Sequence, residues 1–149
     1  MGKATEELIK THRVVEKVLK QFEPGEPRFA EIRKTLERTV LAHGWLQDEL
    51  LLPALKGKPL IEQRFLQQIV EEHRDLEHLL KLLHNISLEA KEEVQALVVQ
   101  IRAILDAHMA KESAALYPLT EKVVDDSTLR RLGADMERRK TEVRDVAQA

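Results

Sequence analysis

Six histidines stand in this chain of 149 residues, and four of them follow one pattern. His12 lies between Leu8 and Val15, His43 precedes Leu46 and Leu50, His73 lies between Ile69 and Leu76, and His108 follows Ile104. Each takes an apolar-stripe position in a segment of helical period, and each belongs to a different segment. A lone histidine on an apolar face is ordinarily a hydrogen-bonded core residue. Four at one height need another account, because burying imidazoles without partners costs on the order of 1–3 kcal/mol each. A metal ion would satisfy all of them together.

Chain arithmetic puts them at one height. In an antiparallel bundle, two residues at the same level are equidistant from the turn that joins their helices. The midpoint of His12 and His43 falls at Pro27, that of His43 and His73 at Lys58, and that of His73 and His108 a few residues past Ser87. Each midpoint lands on or near a break signal. The four imidazoles are therefore expected in one layer of the core.

Carboxylates complete that layer. His73 and Glu77 are four residues apart, as are His108 and Glu112, so each pair shares a helix face about one turn apart. Imidazole with carboxylate suits iron, manganese or zinc, and the chain has no cysteine to supply a thiolate. Six or seven donors exceed what one ion can use, whereas two ions bridged by carboxylates can use them. Glu16 follows His12 at the same spacing and could ligate, support a ligand or form a salt bridge. Gln47 takes the equivalent place after His43; Asp48 and Glu49 follow it, with Glu49 turned well off the ligand face. His78 lies more than about 100° round the helix from that face and is expected in solvent. His84 lies about 16 Å along the helix from His73 and is expected at a bundle end. Trp45 and Tyr117 are expected to pack, with Tyr117 also able to gate access or donate a hydrogen bond.

The elements that must position these residues are legible from punctuation and stripes. Glu23-Pro24-Gly25-Glu26-Pro27 and Gly57-Lys58-Pro59 are clear breaks. Asn85-Ile86-Ser87 is a weaker one with Ser87 as an N-cap, and Asp125-Asp126-Ser127 offers another cap. Between them run Leu8, Val15, Leu19 and Phe22; Phe29, Ile32, Leu36, Leu46 and Leu50; Ile69, Leu76, Leu80 and Leu83; and Val94, Leu97, Ile101, Ile104 and Leu105. A shorter stripe of Leu129, Leu132, Met136 and Val143 carries Gly133, which costs about 1 kcal/mol in a helix. The chain also repeats: the segment from His12 to Lys20 matches that from His73 to Lys81, and His43 to Pro53 matches His108 to Pro118, at spacings of 61 and 65 residues. Two helical hairpins related by a pseudo-twofold axis are the natural arrangement. The expected fold is all-α: an up-down-up-down antiparallel four-helix bundle over about 4–120, with a short additional C-terminal helix over about 127–146, in a single domain spanning 1–149.

Composition narrows function. Apolar residues make up 43%, aromatics 3%, and the formal charge is −2 with acids and bases interleaved. That leaves no basic stripe for nucleic acid and no polybasic patch for a membrane. No apolar signal core opens the chain and no segment approaches the roughly 20 apolar residues of a membrane span, so a cytoplasmic protein is expected. No Ser-His-Asp arrangement or phosphate-cradling glycine loop stands out. The Glu-x-x-His pair of ferritin-type sites is absent.

The set of motifs resembles the hemerythrin-like HHE cation-binding family over about Glu7 to Pro118. The carriers are the His12 motif, His43 through Pro53, His73 within Glu-His-Arg, and His108-Met109-Ala110-Lys111-Glu112 running on to Tyr117-Pro118. The resemblance implies two non-haem iron ions with bridging carboxylates and an oxo or hydroxo bridge, and an open iron position for dioxygen, nitric oxide or peroxide. The chain departs from the family in helix two, where Gln47 stands in place of a bridging glutamate. Glu77 is the expected compensation, giving a metal set of His12, His43, His73, Glu77, His108 and Glu112, with Gln47 at most a weak donor. Three functions follow as expectations: binding or sensing of dioxygen or nitric oxide, an enzyme that decomposes peroxide or processes nitric oxide, and iron storage or donation. The absence of an attached signalling domain argues mildly against a fused receptor.

Overall fold

The stripes become helices. In the computed structural model, which describes residues 2–148 and the side chains of residues 2–140, α1 spans Ala4–Leu19, α2 Phe29–Leu46, α3 Leu52–Leu55, α4 Gln63–Asn85, α5 Lys91–Lys111, α6 Tyr117–Val123 and α7 Asp126–Gln148. Two π-helical turns, Gln47–Leu51 and Glu112–Leu116, join α2 to α3 and α5 to α6 without a break. The result is five helical rods, with no strand among the described residues. No helix among those residues is long and apolar enough to cross a membrane.

The punctuation acts for local physical reasons. Gly57 ends the second rod at φ +82°, a left-handed conformation that suits a residue without Cβ. Asp125 caps α7, accepting the Thr128 N–H at 3.1 Å and the Ser127 and Thr128 hydroxyls at 2.5 and 2.7 Å. Those bonds from Ser127 and Thr128 hold its carboxyl well below the usual range. Ser87 behaves differently from expectation. Its hydroxyl accepts the Glu89 N–H at 3.2 Å within a turn, and α5 starts only at Lys91 after Ala90.

Contacts between rods fix their directions. Along α2, Arg33 reaches the Leu83 carbonyl at 3.2 Å and Glu37 pairs with His84 at 3.2 Å, while Asp48 beyond α2 meets His73 at 2.8 Å. From Glu37 to Asp48 the second rod advances while its partner on α4 falls back from His84 to His73, so the two are antiparallel. The core divides in two. Leu8, Leu46, Leu51, Ile69, Leu116 and Tyr117 pack with Leu129, Leu132 and Met136 of α7. Val15, Leu36, Val40, Leu76, Leu105 and Met109 form the other half, closed by Phe22 stacked on Phe29 at 5.6 Å. His12, His43 and His73 lie between these halves in the sequence of their rods, and His108 stands at the end of the second half, beside Met109.

The C-terminal element corrects the expectation of a short helix. At 23 residues α7 equals α4 in length, and it packs along α1. A Cβ placed on Gly133 would lie 2.0 Å from the Gly2 carbonyl oxygen and 2.8 Å from the Lys3 carbonyl carbon. The glycine that weakens the helix is therefore what lets it approach α1. Lys140 bonds the nearly fully buried Glu7 carboxylate at 2.8 Å, Lys3 pairs with Asp126 at 2.5 Å, and Arg139 lies 5.6 Å over the Trp45 ring. The Val143 side chain lies outside the described residues.

Two outcomes follow. Gly133→Ala gains about 1 kcal/mol of helix propensity but collides with backbone, and overpacking of this kind costs about 1–3 kcal/mol, so a lower melting temperature is expected by circular dichroism. For Glu7, burial raises the carboxyl pKa, but bonds from Lys140 and Lys10 outweigh it and leave the group below its ordinary 4.5. A depressed carboxyl stabilises the fold above that value and loses the contribution as pH falls through its folded pKa. Glu7→Gln should thus lower the melting temperature at pH 7, with the difference from the parent shrinking as pH drops below 4.5.

Candidate metal centre

The centre begins with two prolines. Pro53 and Pro118 lack an N–H, and their rings crowd the carbonyl four residues back, so a regular helix cannot run through them undisturbed. The chain widens instead. The Leu52 N–H bonds the Gln47 carbonyl and the Tyr117 N–H bonds the Glu112 carbonyl, each reaching back five residues. Such π-helical turns are rare and recur at functional sites. Here each one opens on the residue four places after a core histidine, Gln47 after His43 and Glu112 after His108. The repeat seen in the sequence is thus a repeat of structure.

Glu112 is the hub. Its side chain is 0% exposed, and its Oε1 lies 3.2 Å from His12 Nε2, 3.3 Å from His43 Nε2 and 3.4 Å from His108 Nε2. His73 Nε2 lies 3.1 Å from His108 Nε2. The side chains form two clusters, each able to hold a metal ion: His12, His43 and Glu112, and His73, His108 and Glu112. The carboxylate is common to both. Gln47, also 0% exposed, directs its Nε2 to Glu112 Oε2, to the Tyr117 hydroxyl at 3.0 Å and to His43 Nε2 at 3.0 Å. The His12 and His43 rings stack at 5.2 Å, and Tyr117 meets His12 edge-on at 5.8 Å.

A ring of further side chains holds the imidazoles by their other nitrogen. The Thr11 hydroxyl donates to the Leu8 carbonyl at 2.8 Å and so accepts from His43 Nδ1 at 2.5 Å. His73 Nδ1 donates to Asp48 Oδ1 at 2.8 Å, and His108 Nδ1 donates to Glu72 Oε1 at 2.7 Å. Lys111 holds the second Glu72 oxygen at 2.5 Å. With those three Nδ1 protons turned outward, His43, His73 and His108 present Nε2 to the centre, the arrangement found round metal-bound histidines.

The electrostatics agree with the geometry. Burial by itself pushes the Glu112 carboxyl up, but the imidazoles of His108, His12 and His43 packed against it outweigh that and hold the group well below the carboxylate range. Burial lowers His43 and keeps that ring neutral. Burial also acts to lower His108, yet Glu112 and then Glu72 outweigh it and raise it. Glu72 is depressed because bonds from Lys111 and His108 exceed its own desolvation. Burial, reinforced by the Glu112 charge, pushes the Tyr117 hydroxyl far above its ordinary value.

The residues fit a metal on two counts. His12 Nε2 and Gln47 Oε1 are buried at the centre with no hydrogen-bond partner, and such groups are costly unless something occupies them. Metal–ligand bonds of about 2.0–2.2 Å place neighbouring donors on one ion roughly 3–3.5 Å apart, which matches the 3.2 to 3.4 Å between Glu112 Oε1 and three imidazoles.

Of the six side chains expected as ligands, His12, His43, His73, His108 and Glu112 are brought together, and Glu77 is not. Glu77 is exposed and joins neither cluster. The reason is helix direction. Four residues on from His43 or His108 leads toward the half of the core that holds Leu51 and Leu116. The same step from His73 on antiparallel α4 leads away, past Leu76 toward Leu80, and each step is about 6 Å of helical rise. Glu16 leaves the layer by the same logic and is exposed. His78 is exposed, and exposed His84 pairs with Glu37 at 3.2 Å. Sequence reasoning missed Thr11, Glu72 and Asp48. The available signal was position, since Thr11 and Glu72 each directly precede a histidine of the centre and each supports the histidine of the following rod.

A crystal structure of a hemerythrin HHE cation-binding domain-containing protein from Mycobacterium kansasii matches this chain with a TM-score of 0.84 over 98% of this chain and 90% of that one, at 21% identity. The fold is that of a hemerythrin-like HHE domain. No protein-family model and no curated protein matches the sequence. On this HHE fold the His/Glu centre lies where the two helical hairpins face each other, with one carboxylate from the second hairpin serving both.

Glu112→Gln should remove that shared carboxylate and sharply reduce metal content on reconstitution. Glu77→Gln should leave it unchanged. Metal analysis of the purified variants checks both.

Proposed function

We propose that this protein is a non-haem di-iron protein that binds or senses dioxygen or nitric oxide between its helices, which we read as an up-down-up-down antiparallel four-helix bundle with α7 laid along it. One observation carries the reading: a single fully buried carboxylate, Glu112, belongs to both His/His/Glu clusters. Two histidines and one carboxylate per ion form a donor set suited to ferrous iron with positions left open. His12, His43 and Glu112 would hold one ion, and His73, His108 and Glu112 the other. The chemistry that iron would supply there is reversible electron donation to a small ligand. The chain's own residues orient and enclose. Thr11, Asp48 and Glu72 fix three rings, Leu46, Leu51, Ile69 and Leu116 exclude bulk water from one side, and the Gln47 amide offers a polar contact within the centre.

A second reading, an enzyme that decomposes peroxide or processes nitric oxide, draws on Tyr117. Its hydroxyl accepts from Gln47, which leaves its own proton free to hydrogen-bond a peroxide in the centre. Small diatomic ligands or peroxide are the proposed partners in either case, with no nucleic acid or membrane partner and a cytoplasmic setting.

Anaerobic reconstitution with ferrous iron should give two ions per chain, with an absorption spectrum that changes on admitting oxygen or nitric oxide and reverts when the gas is removed. Irreversible oxidation with rapid gas evolution from peroxide would favour the enzyme. Failure to take up iron in the parent, or full uptake by His73→Ala and His108→Ala, would count against the di-iron proposal.

A further inference from the structure

The internal repeat allows the two metal positions to be compared residue by residue. A shift of 61 residues carries Thr11 to Glu72 and His12 to His73, and a shift of 65 carries His43 to His108, Gln47 to Glu112 and Asp48 to Ser113. In each pair of supporting residues the anionic member serves the same side. Asp48 accepts from His73 and Glu72 accepts from His108, at 2.8 and 2.7 Å. On the other side His43 is held by the neutral Thr11 hydroxyl at 2.5 Å. Ser113, the counterpart of Asp48, is exposed. Gln47, which approaches His43, is the neutral counterpart of Glu112, and its Oε1 is left without a partner, as is His12 Nε2.

A cleft opens onto the His12 side of the centre. About 400 Å³ in volume, it lies between α1 and the start of α6 and is lined by His12, Glu16, Ser113, Tyr117 and Pro118, among others.

We propose that the two positions are unequal: His73, His108 and Glu112 form the tight position that fills first, and His12, His43 and Glu112 form a labile one, loaded and reached through the cleft over His12. The inference rests on the metal-centre reading above and deepens it. Carboxylates hydrogen-bonded to ligand histidines raise the basicity of those rings, and losing one such partner typically weakens metal binding 10–100-fold. Among the described residues the α4–α5 side has two of these carboxylates, Asp48 and Glu72, where His43 on the α1–α2 side has the Thr11 hydroxyl. A neutral amide at Gln47 also removes a negative charge from the labile side, where a dication would otherwise be balanced.

The test is titration of the metal-free full chain with Co²⁺, followed by calorimetry and by the visible absorption of the bound ion. Two steps are expected, the first at least ~10-fold tighter than the second. His12→Ala should abolish the second step and keep the first, and His73→Ala should abolish the first. Asp48→Asn and Glu72→Gln, which preserve shape, should each weaken the first step about 10–100-fold, and Gln47→Glu should tighten the second. Circular dichroism melts confirm that each variant is folded, and the near-isosteric Asp48→Asn carries the test if an alanine variant is not. Two equal steps in the parent, or loss of the tight step in His12→Ala alone, would overturn the proposal while leaving the metal centre standing. No Co²⁺ uptake by the parent chain would bring down both.

Discussion

A carboxylate with no exposure to water, surrounded by imidazoles, governs the rest of this structure. An isolated buried carboxylate is costly unless it is paired and hydrogen-bonded. Glu112 meets that requirement through the Gln47 amide, which donates to one oxygen, and through the imidazoles of His12, His43 and His108 against the other, which come from three different rods. Because one oxygen faces all three rings, the rods cannot slide or rotate independently without stranding a buried charge. The same constraint makes the centre suitable for cations, since donors already held 3.2 to 3.4 Å from one oxygen need little rearrangement to share an ion.

Two proline-driven π-helical turns put the key side chains in reach. A regular α-helix places successive residues 100° apart, and a turn with one extra residue per hydrogen bond re-aims everything that follows. At Gln47 and at Glu112 the widened turn begins on the residue that enters the centre. It also carries Tyr117 inward, where its ring meets His12 and its hydroxyl meets Gln47. The duplication of this device, once per hairpin, explains why the centre has two halves. Divergence between the copies, Gln47 against Glu112 and Thr11 against Glu72, explains why the halves are not alike.

The layer of histidines interrupts the core, and α7 compensates for that interruption on one side. Leu129, Leu132 and Met136 close over Leu8, Leu51 and Leu116, while Gly133 allows the backbone of α7 to touch that of the α1 entrance. The other half of the core closes on itself through Phe22 and Phe29. The hydrophobic wall of the centre toward its Gln47 and Glu112 end is therefore partly built by a helix that contributes no ligand.

Much of this was determined by the sequence alone. Helical period, breaks at Pro24 to Pro27 and at Gly57, the repeat, and the convergence of His12, His43, His73 and His108 all follow from spacing, because a helix has a fixed rise and antiparallel neighbours share a turn. Glu112 followed from its place after His108. What spacing does not carry is the side of the histidine layer on which the centre closes. Glu77 and Glu112 stand in the same relation to their histidines, yet only Glu112 enters the centre, and Glu77 goes to solvent. Only tertiary structure decided that. It also decided that Thr11, Asp48 and Glu72 support histidines on other rods and that Gly133 is a point of close approach. Each of these depends on which residues from distant stretches of chain come within a few ångströms, and no local periodicity encodes that distance.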